Sequence, residues 1–190
     1  MANYVSNGKK FADSILQSTV NQAYQMETKN PLILTVRIDG QSQQFFNELR
    51  IKHFPPERNL LDAHLTLFHQ LPDTIETFQI IDNAKRPSFK MDIIKLINLG
   101  AGVAYKVESS HLEELRKDLK TAFANQLIPQ DMHGFRAHIT VQNKTTPEEA
   151  RSLLTQLSDR FEPFSIYAQG LDLWEYLGGP WEHRSYHPFN

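Results

Sequence analysis

Two short stretches of this chain carry side chains suited to acid–base chemistry at matched spacing. Residues 63–67 read Ala-His-Leu-Thr-Leu and residues 137–141 read Ala-His-Ile-Thr-Val, placing His64 with Thr66 and His138 with Thr140. In a strand, successive side chains point to opposite faces. Asp62, His64, Thr66 and Phe68 are therefore predicted on one face of the first strand, against Leu65 and Leu67. In the second, Arg136, His138, Thr140 and Gln142 oppose Ile139 and Val141. Each strand has an aliphatic face for a core and a face that presents an imidazole and a hydroxyl together. Two imidazoles facing one another suit in-line displacement at a phosphodiester. One takes a proton from the attacking oxygen and the other gives a proton to the leaving oxygen, which an unperturbed pKa of about 6.5 allows near neutrality. Threonines two residues on share the face and can donate to the non-bridging phosphate oxygens.

Positioning these side chains takes two strands, each within its own helix-flanked unit. Residues 31–39 (PLILTVRID) form an apolar, β-branched-rich run predicted as a buried strand. A helix follows over 40–54, with Phe45, Phe46 and Leu49 on one face and Pro55-Pro56 to stop it. The first motif strand covers 63–71, and 74–85 reads as a second helix. Strands at 88–100 and 102–109 flank Gly100-Ala101-Gly102, and Ser110 is placed to cap a helix over 111–127. A loop over 128–134 leads to the second motif strand, 135–143. Thr146-Pro147-Glu148-Glu149 is a strong start for a helix over 147–161. Residues 164–177 and 181–189 finish as strands around Gly178-Gly179-Pro180. The order β-α-β-α-β-β-α-β-α-β-β puts one His-x-Thr strand in each half. It predicts an α+β fold of two antiparallel-rich sheets with outer helices. Residues 1–29 are polar, with weak helical spacing at Phe11, Ile15, Val20 and Tyr24. They read as an extension ahead of a domain spanning 30–190.

Composition excludes several alternatives. The 190 residues are 40% hydrophobic and 22% charged, ordinary for a globular protein, with a formal charge of −2. No basic field is available to grip long nucleic acid, so any RNA contact is expected to be local and short. Cysteine is absent, which removes disulfide and thiolate chemistry. No apolar run approaches the length of a membrane span, and the N-terminus lacks an apolar signal core. A cytoplasmic monomer with no membrane contact is the expectation. The H-E-x-x-H, G-x-S-x-G, Walker and G-x-G-x-x-G patterns are all missing, so neither a metal nor a cofactor is expected.

The remaining candidates are less patterned. Arg136 shares the cleft face and either meets a phosphate or forms a salt bridge, with Asp62 for instance. Phe68 and Tyr105 are candidates for stacking a base, as are Trp174 and Tyr176, although core packing competes for every aromatic. Gln142 and Lys144 are candidate polar contacts. His69 falls on the opposite parity to His64 and reads as structural. His53, His111, His133, His183 and His187 follow no pattern.

The paired motif resembles the two-histidine (2H) phosphoesterases, specifically their bacterial 2′-5′ RNA ligase-like branch. The stretches HLTLFHQLP and HITVQNK and the terminal LWEYLGGPW carry the resemblance, which covers roughly residues 31–190. It implies a bilobal fold with one His-x-Thr motif in each lobe around a central cleft. It also implies metal-independent action on a 2′,3′-cyclic phosphate or 2′-5′ phosphodiester at RNA ends or in small nucleotides, reversible as 2′-5′ ligation. By match to the motif, His64 and His138 take the catalytic roles, and Thr66 and Thr140 bind phosphate. The alternative is a nucleotide- or RNA-binding module that uses the same cleft without turnover.

Overall fold

The structure, a computed structural model, describes residues 30–190; the extension expected over 1–29, with Phe11, Ile15, Val20 and Tyr24, lies outside the described residues. Strand β1 (Leu32–Ile38) is buried along nearly its whole length. Asp39 ends it and caps helix α1 (Gly40–His53), accepting from the Ser42 N–H at 2.9 Å. Of the three apolar residues expected on the inner face of α1, Phe46 is fully buried while Phe45 stays 41% exposed at its edge. The other buried side chain of this helix is Arg50. Next come β2 (Leu65–Leu71), α2 (Ile75–Asn83), β3 (Phe89–Asn98) and β4 (Val103–Glu108). Ser109, rather than Ser110, caps α3 (Ser110–Ala122) by accepting from Leu112. The stretch expected as a loop holds one helical turn, α4 (Pro129–Met132), ahead of β5 (His138–Gln142). Helix α5 (Pro147–Ser158) begins with a complete capping box between Thr146 and Glu149. Strands β6 (Phe164–Tyr176) and β7 (Trp181–Pro188) close the chain. Among the described residues no helix is long and apolar enough to cross a membrane.

The class is α+β, and the two sheets expected are two lobes of one. Among the described residues seven strands join in the order β2-β1-β6-β3-β4-β5, with β7 also on β6, all pairs antiparallel. Residues 164–168 of β6 pair with β3, whereas 170–175 pair with β1 on one edge and β7 on the other. One lobe is therefore β2-β1-β6-β7 and the other β6-β3-β4-β5. A continuous core including Leu34, Leu65, Met91, Ile93, Ile139 and Leu173 runs through both. The motif strands β2 and β5 are the two outer edges, and the curl of the sheet brings them into contact.

Gly102 makes the approach of β4 to β5 possible. A Cβ there would lie 2.0 Å from the Gln142 carbonyl oxygen and 2.7 Å from the Asn143 Cα, both backbone atoms that cannot swing aside. Gly102→Ala should therefore destabilise the fold by at least about 2 kcal/mol and displace the strand that carries His138. Thermal melting and activity of the variant check this; a melting temperature equal to the parent's would show that β5 accommodates the methyl group.

Candidate active site

Both motif strands carry the same irregularity at the same offset. In β2 the register against β1 runs Val36↔Leu65 and Thr35↔Thr66, then steps to Leu34↔Phe68, leaving Leu67 as an extra residue. In β5 the register against β4 runs Tyr105↔Ile139 and Ala104↔Thr140, then steps to Val103↔Gln142, leaving Val141 extra. A bulge of this kind interrupts the two-residue alternation. The next side chain, Phe68 in one strand and Gln142 in the other, is consequently buried.

The two histidines are also held alike. His64 Nδ1–H donates to the Asp62 carbonyl and His138 Nδ1–H to the Arg136 carbonyl, each at 2.7 Å. A carbonyl only accepts, so these bonds fix the tautomer: Nε2 accepts a proton when the ring is neutral and donates when it is charged. A groove of about 380 Å³ runs between the strands, lined by His64, Thr66, Arg136, His138, Thr140 and Trp181 among others. Trp181 packs on the His64 ring, with centroids 4.7 Å apart. Burial, only partly offset by the bond to the Asp62 carbonyl, pushes the His64 imidazole down to about 4, and the charges of Arg50, His138 and His69 add to it.

An edge strand leaves peptide groups without a neighbouring strand, and here two buried side chains stand in for one. Arg50 Nη1 donates to the Thr140 carbonyl at 3.0 Å, while its Nε donates to the Leu61 carbonyl and Asn59 Oδ1, both at 3.1 Å. A single guanidinium thus ties the loop ahead of His64 to the strand of His138, and burial lowers its pKa to about 10. On β2, the Asp131 carboxylate accepts from the backbone N–H groups of His69 at 2.9 Å and Gln70 at 3.1 Å.

Of the residues singled out in the sequence, the groove gathers His64, Thr66, His138, Thr140 and Arg136. Phe68, Gln142 and Tyr105, expected as substrate contacts, are not among them. Phe68 is fully buried, its ring centroid 5.6 Å from that of Phe123 and 3.7 Å beneath the Arg116 guanidinium. Gln142 is buried by the equivalent bulge. Tyr105 shares a face with its cross-strand partner Ile139, opposite His138, and packs among Phe45, Phe46, Phe161 and Phe164. His69, expected away from the groove, lines it because the bulge at Leu67 reverses the parity beyond that point. Trp181 ends the LWEYLGGPW stretch, but no parity rule places it beside His64; only the β6–β7 pairing carries it there. Beyond His64 and Trp181 a second cavity of about 600 Å³ is lined by Arg37, Leu60 and Trp174. Arg37 is held there by Asp172 at 2.8 and 2.5 Å, and Trp174 Nε1 donates to Thr35 Oγ1 at 2.9 Å. Among the described residues no three His, Asp or Glu side chains are arranged to hold a metal ion.

The architecture matches solved structures over nearly their full length. TT0787 of Thermus thermophilus superposes with a TM-score of 0.60 at 16% identity, covering 84% of this chain and 97% of that one. E. coli LigT complexed with 3′-AMP superposes with a TM-score of 0.55 at 16% identity, covering 85% and 99%. At such identities the likeness concerns the fold. None of the curated proteins matches the sequence. The family model described as the 2′-5′ RNA ligase superfamily matches residues 38–180, which include both motif strands. The chain belongs to that superfamily, a group of two-histidine phosphoesterases.

Proposed function

We propose that this chain opens 2′,3′-cyclic phosphates or cleaves 2′-5′ phosphodiesters of short RNA or nucleotides, with His64 as base and His138 as acid and no metal. The observation that carries this reading is the matched pair: two imidazoles in one groove, each oriented by the carbonyl two residues back, each with a threonine beside it. With a cyclic phosphate bound, neutral His64 takes a proton from water through Nε2 as the water oxygen bonds to phosphorus. The bond from phosphorus to one ribose oxygen breaks, and His138 Nε2–H delivers its proton to that oxygen. The product is a phosphomonoester, and solvent exchange returns both rings to their starting states. Thr66 and Thr140 donate to the non-bridging oxygens, where charge builds up. With the 5′-hydroxyl of a second strand in place of water, the same steps form a 2′-5′ linkage. Crystal structures of LigT with 3′-AMP and with ATP support a nucleotide ligand for a fold of this kind. Incubation with cyclic nucleotides, a 2′-5′ dinucleotide and cyclic-ended RNA should yield new phosphomonoesters or 2′-5′ joined strands. Absence of product from every member of the panel would overturn the reading.

The proposed roles of the two imidazoles imply a form for the pH dependence. The rate rises as His64 loses its proton and falls as His138 loses its own, giving a bell whose limbs belong to the pair. Because the His64 imidazole is held down to about 4 in the free protein, the acid limb of kcat/KM should lie below pH ~5, under that of an unperturbed histidine. A bound phosphate favours the imidazolium, so the acid limb of kcat should lie at higher pH than that of kcat/KM. EDTA should change neither profile. An acid limb of kcat/KM at pH ~6.5 would take the base role from His64, and activity lost to chelation and restored by metal would end the proton-transfer scheme.

A further inference from the structure

The catalytic groove extends past the two histidines to a second cluster that the reaction above does not use. His69 and Arg116 line this extension together with Asp131, Gln130 and His133. The His69 ring is half-exposed and its orientation is fixed, with Nδ1 2.9 Å from Asp131 Oδ1. Asp131 is only 2% exposed, and its two oxygens are taken up by this ring and by the N–H groups of His69 and Gln70. Burial alone would raise the Asp131 pKa, but the bonds from His69 and Gln70 outweigh it and leave the carboxylate ionised. With Nδ1–H committed to that carboxylate, Nε2 is the ring atom left for a ligand. Arg116 supplies a cation beside it. It is 5% exposed, lies over Phe68, and is anchored by Nη2 donating to the Asp131 carbonyl at 2.5 Å, while its Nε has no partner. Arg116 lines the groove, and a buried guanidinium is costly unless an anion meets it. The carboxylate of Asp131 is fully occupied and turned away from solvent, so the Arg116 guanidinium and the His69 ring are the groups of this cluster left to meet a ligand.

We propose that His69 and Arg116, both anchored on Asp131, form a second phosphate subsite beside His64 and His138, so that the preferred substrate carries a further phosphodiester next to the reacting one. Resting on the phosphodiesterase reading above, this makes the substrate an RNA end rather than a lone nucleotide. At a 3′ end closed as a 2′,3′-cyclic phosphate, the adjoining phosphodiester lies on the 5′ side of that nucleotide, and His69 and Arg116 hold it.

The test compares a nucleoside 2′,3′-cyclic phosphate with a dinucleotide ending in the same cyclic phosphate. The parent protein should favour the dinucleotide in kcat/KM, and His69→Ala should reduce that ratio on the order of tenfold, mainly through KM. The backbone N–H of residue 69 remains to satisfy Asp131 in this variant, so the fold should persist, as melting will show. Arg116→Lys, which keeps the charge but loses the planar donor set, should reduce the ratio less. A purely structural role for His69 would lower both rates together and leave the ratio unchanged, and that outcome overturns the subsite. Calorimetry with a nucleoside 3′-phosphate and a dinucleotide 3′-phosphate reads the same preference without turnover. Failure of the reaction with an intact, His69-dependent binding preference would refute the phosphodiesterase reading alone; equal affinities in the parent protein would refute the subsite alone.

Discussion

Alanine at either His64 or His138 should lower turnover by ~10²–10⁴-fold, the usual contribution of a positioned acid or base. Each ring is only partly buried, so little packing is lost, although Trp181 loses the ring it packs against when His64 is shortened. The fall should appear in kcat, because in the proposed scheme both groups act on the reacting bonds rather than on binding. The double variant should be little worse than either single one, since proton transfer through one partner is useless without the other. Steady-state kinetics on variants shown to be folded by melting decides the matter. A single variant within tenfold of the parent would refute the two-histidine scheme.

Arg50→Met should have the largest effect on stability of any change outside the hydrophobic core. Methionine fills similar volume but leaves the carbonyls of Leu61 and Thr140 and the Asn59 side chain without their donor, and Phe54 without the guanidinium 4.2 Å above its ring. Buried acceptors left unmade cost ~1–3 kcal/mol each, so a loss of about 3–5 kcal/mol is expected. For a chain of this size that corresponds to a melting temperature lower by roughly 6–20 °C. Activity should fall with it even below the melting transition, because the same guanidinium joins the loop before His64 to the strand of His138. The loss of its charge should also move the acid limb of the pH profile slightly upward, since that charge depresses His64. Burial is the larger cause of the depression, which bounds the shift. A variant that melts with the parent would show that the seam is held by other contacts.

That His64, Thr66, His138 and Thr140 share one groove is legible in the sequence because it rests on local rules. His64 and Thr66, like His138 and Thr140, are two residues apart on strands, and alternation is reliable over that span. It fails one step further on. The bulges at Leu67 and Val141 are set by register against β1 and β4, a long-range property. Parity therefore puts Phe68 and Gln142 in the groove, where they are not, and His69 outside it, where it is not. Tyr105 is singled out by residue type alone, and its cross-strand partner Ile139 decides its side. The order of elements is readable from apolar periodicity, capping residues and turns. That β6 serves both lobes is not, because strand pairing between distant segments leaves no mark within either one. Arg50 and Asp131 escape notice for a related reason: a charged residue on a helix reads as solvated until the tertiary structure closes over it.

The sharing of β6 has a mechanical consequence. Enzymes whose sites lie between two lobes often swing about a few residues that absorb the change in backbone angles. Here β6 passes from one lobe to the other as a single strand, paired with β3 over 164–168 and with β1 and β7 over 170–175, and its register against β1 shifts at Gln169 between the two. Rocking one half against the other would tear hydrogen bonds from the middle of a sheet. On the proposed scheme, the spacing of His64 and His138 is therefore expected to be set by the curvature of the sheet rather than by a hinge. If the proposed reaction holds, lobe closure is not expected to limit its turnover.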